Sequence, residues 1–135
     1  MVTNETTAST SVLVAEDDRV ISDVIRFNLE RARYQVTIAR NGTEAWALLQ
    51  ARRFDVLVTD YQMPGMTGEE VCRAFRQTYP EVQLPIIFLS ARGLELNVAQ
   101  MQTELGVEKL MYKPFSPREL VDEIARCAKK SIALL

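Results

Sequence analysis

Residues that could act together on a charged ligand occur in four short segments of the sequence. They are Glu16, Asp17 and Asp18 in the first segment, Asp60 in the second, Ser90 in the third and Lys113 in the fourth. Neighbouring carboxylates repel each other unless a cation neutralises them. Mg²⁺ prefers oxygen ligands, often one or two carboxylates together with phosphate oxygens. The residue types therefore indicate a site for Mg²⁺ and a phosphoryl group.

Asp60, Ser90 and Lys113 are of the types that phosphoryl transfer to a side chain requires. An aspartate carboxylate can attack phosphorus and form an acyl phosphate. A lysine ammonium can pair with the acid or with a phosphoryl oxygen, and a serine hydroxyl can donate to another oxygen. Catalysis in such a site consists mainly of positioning and charge neutralisation.

Each of these residues also has a simpler explanation when it is considered alone. Asp17 or Asp18 can cap the first helix, and Asp60 can be a turn residue before Pro64. A lone serine after a strand is usually a loop hydroxyl, and a lone lysine is usually solvated. The functional interpretation depends on the four segments meeting at one place in the fold.

The hydrophobic pattern alternates between the periods of strands and helices. Strands are predicted over residues 11–15, 34–39, 54–59, 85–89 and 109–112. Helices are predicted over residues 18–31, 43–51, 68–78 and 94–105, with a last helix that begins at Ser116 and Pro117. This order predicts an α/β fold, a doubly wound parallel sheet of five strands with helices on both faces. Ligands of such sheets bind beyond the carboxyl ends of the strands, where all four segments lie.

The composition excludes several other functions. The 135 residues fit one domain, and the net charge of −2 argues against binding of nucleic acid by bulk charge. The absence of histidine excludes His-ligated metals and a phosphohistidine on this chain. No apolar run approaches the length of a membrane span. Because Cys72 and Cys127 form no disulfide framework, we expect a cytoplasmic location.

Four motifs resemble the receiver domain of two-component response regulators. They are Val12-Leu13-Val14-Ala15-Glu16-Asp17-Asp18, Asp60-Tyr61-Gln62-Met63-Pro64-Gly65-Met66-Thr67-Gly68, Phe88-Leu89-Ser90-Ala91 and Lys113-Pro114-Phe115. The second motif is highly specific. The resemblance covers residues 11–130, with residues 1–10 and 131–135 as tails, and it implies a flavodoxin-like fold with strand order 2-1-3-4-5.

The resemblance also implies a role for each acidic residue. Asp60 would accept a phosphoryl group from a histidine kinase or a His-phosphotransfer protein. Asp17 would bind Mg²⁺ directly, Glu16 would act through water, and Asp60 and the backbone carbonyl of Gln62 would complete the ligand set. Asp18 lies one position beyond the acidic pair and is interpreted as a helix-start residue.

The resemblance further implies a switch. Ser90 and Lys113 would contact the phosphoryl group, and the bond before Pro114 would be cis. The face formed by the fourth helix, the fifth strand and the fifth helix would then change shape for a downstream protein. The protein would catalyse its own phosphorylation and dephosphorylation without acting as an enzyme on other substrates.

Two departures from the family pattern concern this switch. Many members have an aromatic residue three positions before the lysine, where this chain has Leu110. Tyr112 lies two positions further and could share its face of the sheet. We also hypothesise that the long side chains of Arg92 and Gln62 hinder attacking water and prolong the phosphorylated state.

Other functions are compatible with part of the pattern. A haloacid-dehalogenase-like phosphatase would use the same residue types, but it needs an Asp-x-Asp motif after the first strand. An interaction module that acts without phosphorylation is a second alternative. A nucleotide or flavin site is disfavoured because no glycine-rich phosphate loop is present. We expect a monomer or weak dimer that binds neither nucleic acid nor membrane, either a stand-alone regulator, which is favoured, or a fragment of a longer one.

Overall fold

The computed structural model describes residues 10–91 and 97–133. Five strands form one parallel sheet in the order β2-β1-β3-β4-β5. They are β1 (Ser11–Ala15), β2 (Gln35–Ala39), β3 (Val56–Asp60), β4 (Ile86–Ala91) and β5 (Val107–Lys113). The predicted fold class and strand order are confirmed. β5 starts two residues before its predicted beginning because Val107 already pairs with Ile86.

Five helices connect and follow the strands. They are α1 (Arg19–Arg31), α2 (Gly42–Ala51), α3 (Gly68–Thr78), α4 (Val98–Leu105) and α5 (Pro117–Ala133). α1 begins after Asp18, whose side chain accepts a hydrogen bond from the Ile21 N–H at 3.0 Å. Asn97 caps α4 in the same way, and the predicted helical residues 94–96 lie outside the described residues. Residues 1–9, from the predicted N-terminal tail, also lie outside the described residues. α5 continues to Ala133, three residues past Lys130, where the domain was predicted to end.

Helices cover both faces of the sheet, and alternate strand residues point into the two cores that result. In β1, Leu13 packs in a core with α2, α3 and α4, whereas Val12 and Val14 pack in a second core with α1 and α5. Every residue of β3 is buried. β3 is therefore the buried central strand of the sheet, and it ends at Asp60. Within the residues described, every helix is too short or too polar to span a lipid bilayer.

Candidate functional site

Three carboxylates meet at the carboxyl end of the sheet. One oxygen atom from each of Glu16, Asp17 and Asp60 lies within 4.8 Å of the others. Glu16 follows β1 and is completely buried, Asp60 ends β3 and is 7% exposed, and Asp17 is open to solvent. The cluster can therefore exchange ions with solvent on the side of Asp17 while the other two carboxylates are held in the protein.

Lys113, the last residue of β5, joins two of these carboxylates. Its Nζ atom lies 2.8 Å from Oδ2 of Asp60 and 2.9 Å from Oε1 of Glu16. The lysine side chain reaches across β4, which separates β5 from β3 in the sheet. The peptide bond between Lys113 and Pro114 is cis, the geometry that the resemblance implies.

The charges of this cluster are only partly balanced, since one ammonium faces three carboxylates. Burial raises the pKa of Glu16 and outweighs the opposing effect of Lys113. Burial disfavours the charged form of Lys113, but its interactions with the carboxylates of Asp60 and Glu16 raise its pKa above the ordinary value. Both directions are those expected of a site that favours additional positive charge.

The buried atom Oε1 of Glu16 supplies a further indication. Its contact with Lys113 meets the distance of an ion pair, but within the described residues it accepts no well-oriented hydrogen bond. The other oxygen of Glu16 accepts from the Asp18 N–H at 3.1 Å. A buried carboxylate oxygen with unused acceptor capacity fits a cation or a cation-bound water, and the all-oxygen ligand set fits Mg²⁺.

Ser90 and Gln62 lie beside the acidic cluster. Ser90 is fully buried, follows Leu89, which pairs with Asp60, and donates through Oγ to the Ala91 carbonyl at 3.3 Å. The Gln62 N–H donates to Oδ1 of Asp60 at 3.2 Å, while the Gln62 side chain is exposed. Both carboxylate oxygens of Asp60 are thus fixed, one by Gln62 and the other by Lys113. Arg92 lies outside the described residues.

Leu110 and Tyr112 belong to one side of β5. Leu110 packs against the core that contains α4, and Met111 packs against the opposite core. Alternation therefore places Tyr112 on the side of Leu110, and Tyr112 pairs in register with Ser90. An aromatic ring is thus available next to the strand position of Ser90, although the position three before Lys113 is aliphatic.

The loop between β3 and α3 is held by close backbone contacts that the sequence analysis did not identify. The Gly68 N–H donates to the Tyr61 carbonyl at 2.9 Å, and a Cβ atom at position 68 would lie 2.4 Å from the Asp60 carbonyl oxygen. α3 can begin this close to Asp60 only because residue 68 has no side chain. The glycine of the second motif was the signal that could have indicated this contact.

Gly68→Ala is expected to displace the start of α3 from Asp60. The added methyl group would meet backbone atoms, which cannot rotate away, so we expect a loss of about 1–3 kcal/mol in unfolding free energy. Urea denaturation of the variant and the wild type measures this loss. Unchanged stability would contradict the close packing at this position.

A chain of polar contacts leads from the residue after Asp60 to α4. The Tyr61 hydroxyl donates to Glu69 at 2.9 Å, Glu69 pairs with Arg73 at 2.8 Å, and Arg73 also pairs with Glu104 of α4 at 2.9 Å. The spacing of Glu69 and Arg73 is that of a helical ion pair, but no sequence pattern predicts their link to α4. The chain connects the β3–α3 loop with the surface of a second helix.

The sequence matches the family model described as the response regulator receiver domain over residues 12–125. This chain belongs to the receiver domain family. Receiver domains bind Mg²⁺ at an acidic pocket, and Glu16, Asp17 and Asp60 form an acidic cluster of this kind. Membership also implies interaction with a histidine kinase or a phosphotransfer protein.

Solved structures of receiver domains resemble this chain over nearly its full length. The Francisella response regulator 1452 receiver domain is 30% identical, with 90% of this chain and 98% of that chain covered and a TM-score of 0.81. The chemotaxis response regulator CheY4 of Vibrio cholerae is 32% identical, with coverages of 88% and 98% and a TM-score of 0.75. A putative response regulator from Chloroflexus aurantiacus is 28% identical, with coverages of 90% and 98% and a TM-score of 0.78.

Proposed function

We propose that this receiver domain accepts a phosphoryl group on Asp60 from a phosphohistidine of a partner protein. The observation that carries the proposal is the position of Lys113, which holds Asp60 and Glu16 in one charge cluster at the end of the sheet. Asp17, Glu16, Asp60 and the Gln62 carbonyl would hold Mg²⁺. The bound cation would neutralise charge that develops on the transferring group.

Asp60 is suited to act as the nucleophile. Gln62 and Lys113 fix its two oxygens, so the carboxylate is oriented before the phosphoryl donor arrives. A bond forms between a carboxylate oxygen and phosphorus while the bond from phosphorus to the donor imidazole nitrogen breaks, and that nitrogen keeps the electron pair. Lys113 and Ser90 would then contact the phosphoryl oxygens.

The new charge would act on the face formed by α4, β5 and α5. Recruitment of the Ser90 hydroxyl moves the end of β4, which is paired with β5 through Ser90 and Tyr112. A groove of about 400 Å³ on this face is lined by residues that include Leu110, Tyr112 and Phe115. We propose that this groove receives the downstream protein. Arg92 and the exposed Gln62 side chain stay candidates for control of the phosphorylated lifetime.

Incubation with acetyl phosphate and Mg²⁺ tests the acceptor function without a partner protein. The expected result is an intact mass increased by one phosphoryl group, which is lost again when acetyl phosphate is removed. EDTA is expected to suppress the increase because it removes the cation. Catalytic release of phosphate from small esters, without a stable protein adduct, would instead favour the phosphatase alternative.

An apolar stripe on α1 is suited to contact the protein that donates the phosphoryl group. Val20, Val24 and Phe27 are 73%, 43% and 60% exposed, and their spacing places them on one face of the helix. α1 starts directly after Asp17 and Asp18, so its first turn borders the acidic cluster. A donor that delivers a phosphohistidine to Asp60 can therefore cover this stripe at the same time.

Phe27→Ser is expected to slow phosphotransfer from the donor protein roughly tenfold or more, because exposed aromatic residues often dominate such contacts. Phosphorylation by acetyl phosphate should stay at the wild-type rate, since the small donor does not touch α1. Both rates can be measured with a phosphorylated histidine kinase or phosphotransfer protein that phosphorylates the wild type. An equal loss with acetyl phosphate would show that the substitution damages the site itself.

A further inference from the structure

A second concave site lies at the opposite end of the sheet from Asp60. A cavity of about 590 Å³ opens between the C-terminal ends of α2 and α3, beside the start of β3 and the loop before β4. Its wall includes Phe54, which precedes β3, whereas Asp60 ends this strand. At roughly 3.3 Å per strand residue, about 20 Å separate the two sites. The volume lies in the usual range of small-molecule sites, roughly 300–1,000 Å³.

The floor of this cavity is apolar. Leu49, Phe54, Phe75 and Leu84 are each less than a tenth exposed and contribute aliphatic and aromatic surface. The rings of Phe75 and Tyr79 lie with their centroids 5.2 Å apart, so two aromatic side chains form one wall. Such a floor favours a flat apolar group.

The rim is predominantly cationic. Arg52 and Arg53 follow α2, and Glu81 is the acidic side chain among the described residues that line the cavity. Arg52 is fixed by a hydrogen bond to Thr37 and by its position 4.8 Å above the Phe54 ring. Within residues 10–91 and 97–133, neither arginine has a carboxylate at ion-pair distance. Guanidinium groups bind carboxylates through paired hydrogen bonds.

We propose that this cavity binds a small amphiphilic anion, with a planar apolar body on the floor and a carboxylate at the arginines. The apolar floor complements the planar body of such a molecule, and the cationic rim complements its carboxylate. A cation or a neutral polar molecule would match only one of these two features of the cavity. The ligand does not approach Asp60, so the proposal does not depend on phosphorylation.

The cavity is also connected to the face formed by α4, β5 and α5. Arg76 donates to the carbonyl of Leu84, in the cavity wall, at 2.7 Å and to the carbonyl of Leu105, the last residue of α4, at 2.8 Å. A ligand that contacts Leu84 therefore contacts a segment that Arg76 links by hydrogen bonds to the end of α4. Occupation of the cavity can act on α4 without competing for the acidic site.

Calorimetric titration of the full chain with 2-naphthoate and with 2-naphthylmethylammonium tests the proposal. The two probes share the same apolar body and differ in the sign of their charge. The anion is expected to bind saturably with one-to-one stoichiometry and at least about tenfold more tightly than the cation. Amide NMR shifts are expected to be largest around Phe54, Tyr79 and Leu84. The absence of saturable binding, or equal binding of both probes, would overturn the proposal.

Three variants locate the binding. Ala51→Tyr, at an exposed lining position, is expected to fill the cavity and remove binding without affecting the fold. Arg53→Gln should weaken binding up to about fivefold, because the ion pair is exposed to solvent, whereas Arg118→Gln on the other face of the sheet should not. Wild-type affinity in both Ala51→Tyr and Arg53→Gln would exclude this cavity. Asp60→Asn should bind as the wild type does, which separates this test from that of the phosphoryl site.

Discussion

Asp60→Asn is expected to abolish the mass increase that acetyl phosphate and Mg²⁺ produce. The carboxamide has the shape of the carboxylate, but it carries no negative charge and its oxygen is a poor nucleophile toward phosphorus. The variant also loses the ion pair between Asp60 and Lys113, while the hydrogen bond from the Gln62 N–H can persist. Intact mass spectrometry after incubation measures the effect directly.

Asp55→Asn provides the matched control for this substitution. Asp55 precedes the same strand, at its opposite end, and its carboxylate accepts a hydrogen bond from the Ser11 N–H at 2.7 Å. It is expected to leave phosphorylation unchanged, because its side chain lies far from the acidic cluster. A full mass increase in Asp60→Asn would assign the acceptor to another residue and overturn the proposed function.

Lys113→Met is expected to slow phosphorylation by acetyl phosphate roughly 10²-fold, because one preorganised positive charge is removed from the transferring group. It is also expected to lower the unfolding free energy in EDTA by about 2–3 kcal/mol. The substitution leaves the buried carboxylates of Glu16 and Asp60 without their ammonium partner, and breaking a buried pair is costly. The lysine is 20% exposed, which keeps the loss moderate.

Mg²⁺ distinguishes this explanation from a simple packing defect. Saturating Mg²⁺ should reduce the stability difference between Lys113→Met and the wild type, since the cation supplies the missing positive charge. Lys109→Met, at an exposed position of the same strand, should change neither rate nor stability. Denaturation curves with and without Mg²⁺ measure both effects. A stability loss that is independent of Mg²⁺ would contradict the electrostatic role of Lys113.

The elements of the fold could be predicted because each one carries its own periodicity. β1 and α3 agree with the prediction at both ends, since buried positions and capping residues mark their limits. The start of β5 was missed because Val107 and Glu108 are too few residues to show the alternation of apolar and polar side chains that marks a strand. The sequence therefore does not show where pairing with β4 begins. α4 is ended by Gly106 in the left-handed region, as the glycine suggested.

For the site, the sequence predicted which strand ends lie at the same edge of the sheet. It did not predict the contacts that their side chains make there. The rule that ligands bind beyond the carboxyl ends of strands placed Asp17, Asp60 and Lys113 at one edge. It could not show that Lys113 contacts two carboxylates at once, because this depends on the reach of one side chain across β4. The close approach of Gly68 to Asp60 likewise depends on the path of a loop, which no periodic pattern encodes.

The polar chain from Tyr61 to Glu104 has a consequence for the surroundings of α4. This helix buries only Met101 and Leu105, and Arg73 and Glu104, which hold it to α3, are 45% and 40% exposed. Dissolved ions screen such exposed charges within about a Debye length but leave apolar burial nearly unaffected. We therefore expect local unfolding of α4 to become easier as ionic strength rises, while the sheet that carries the acidic cluster stays folded.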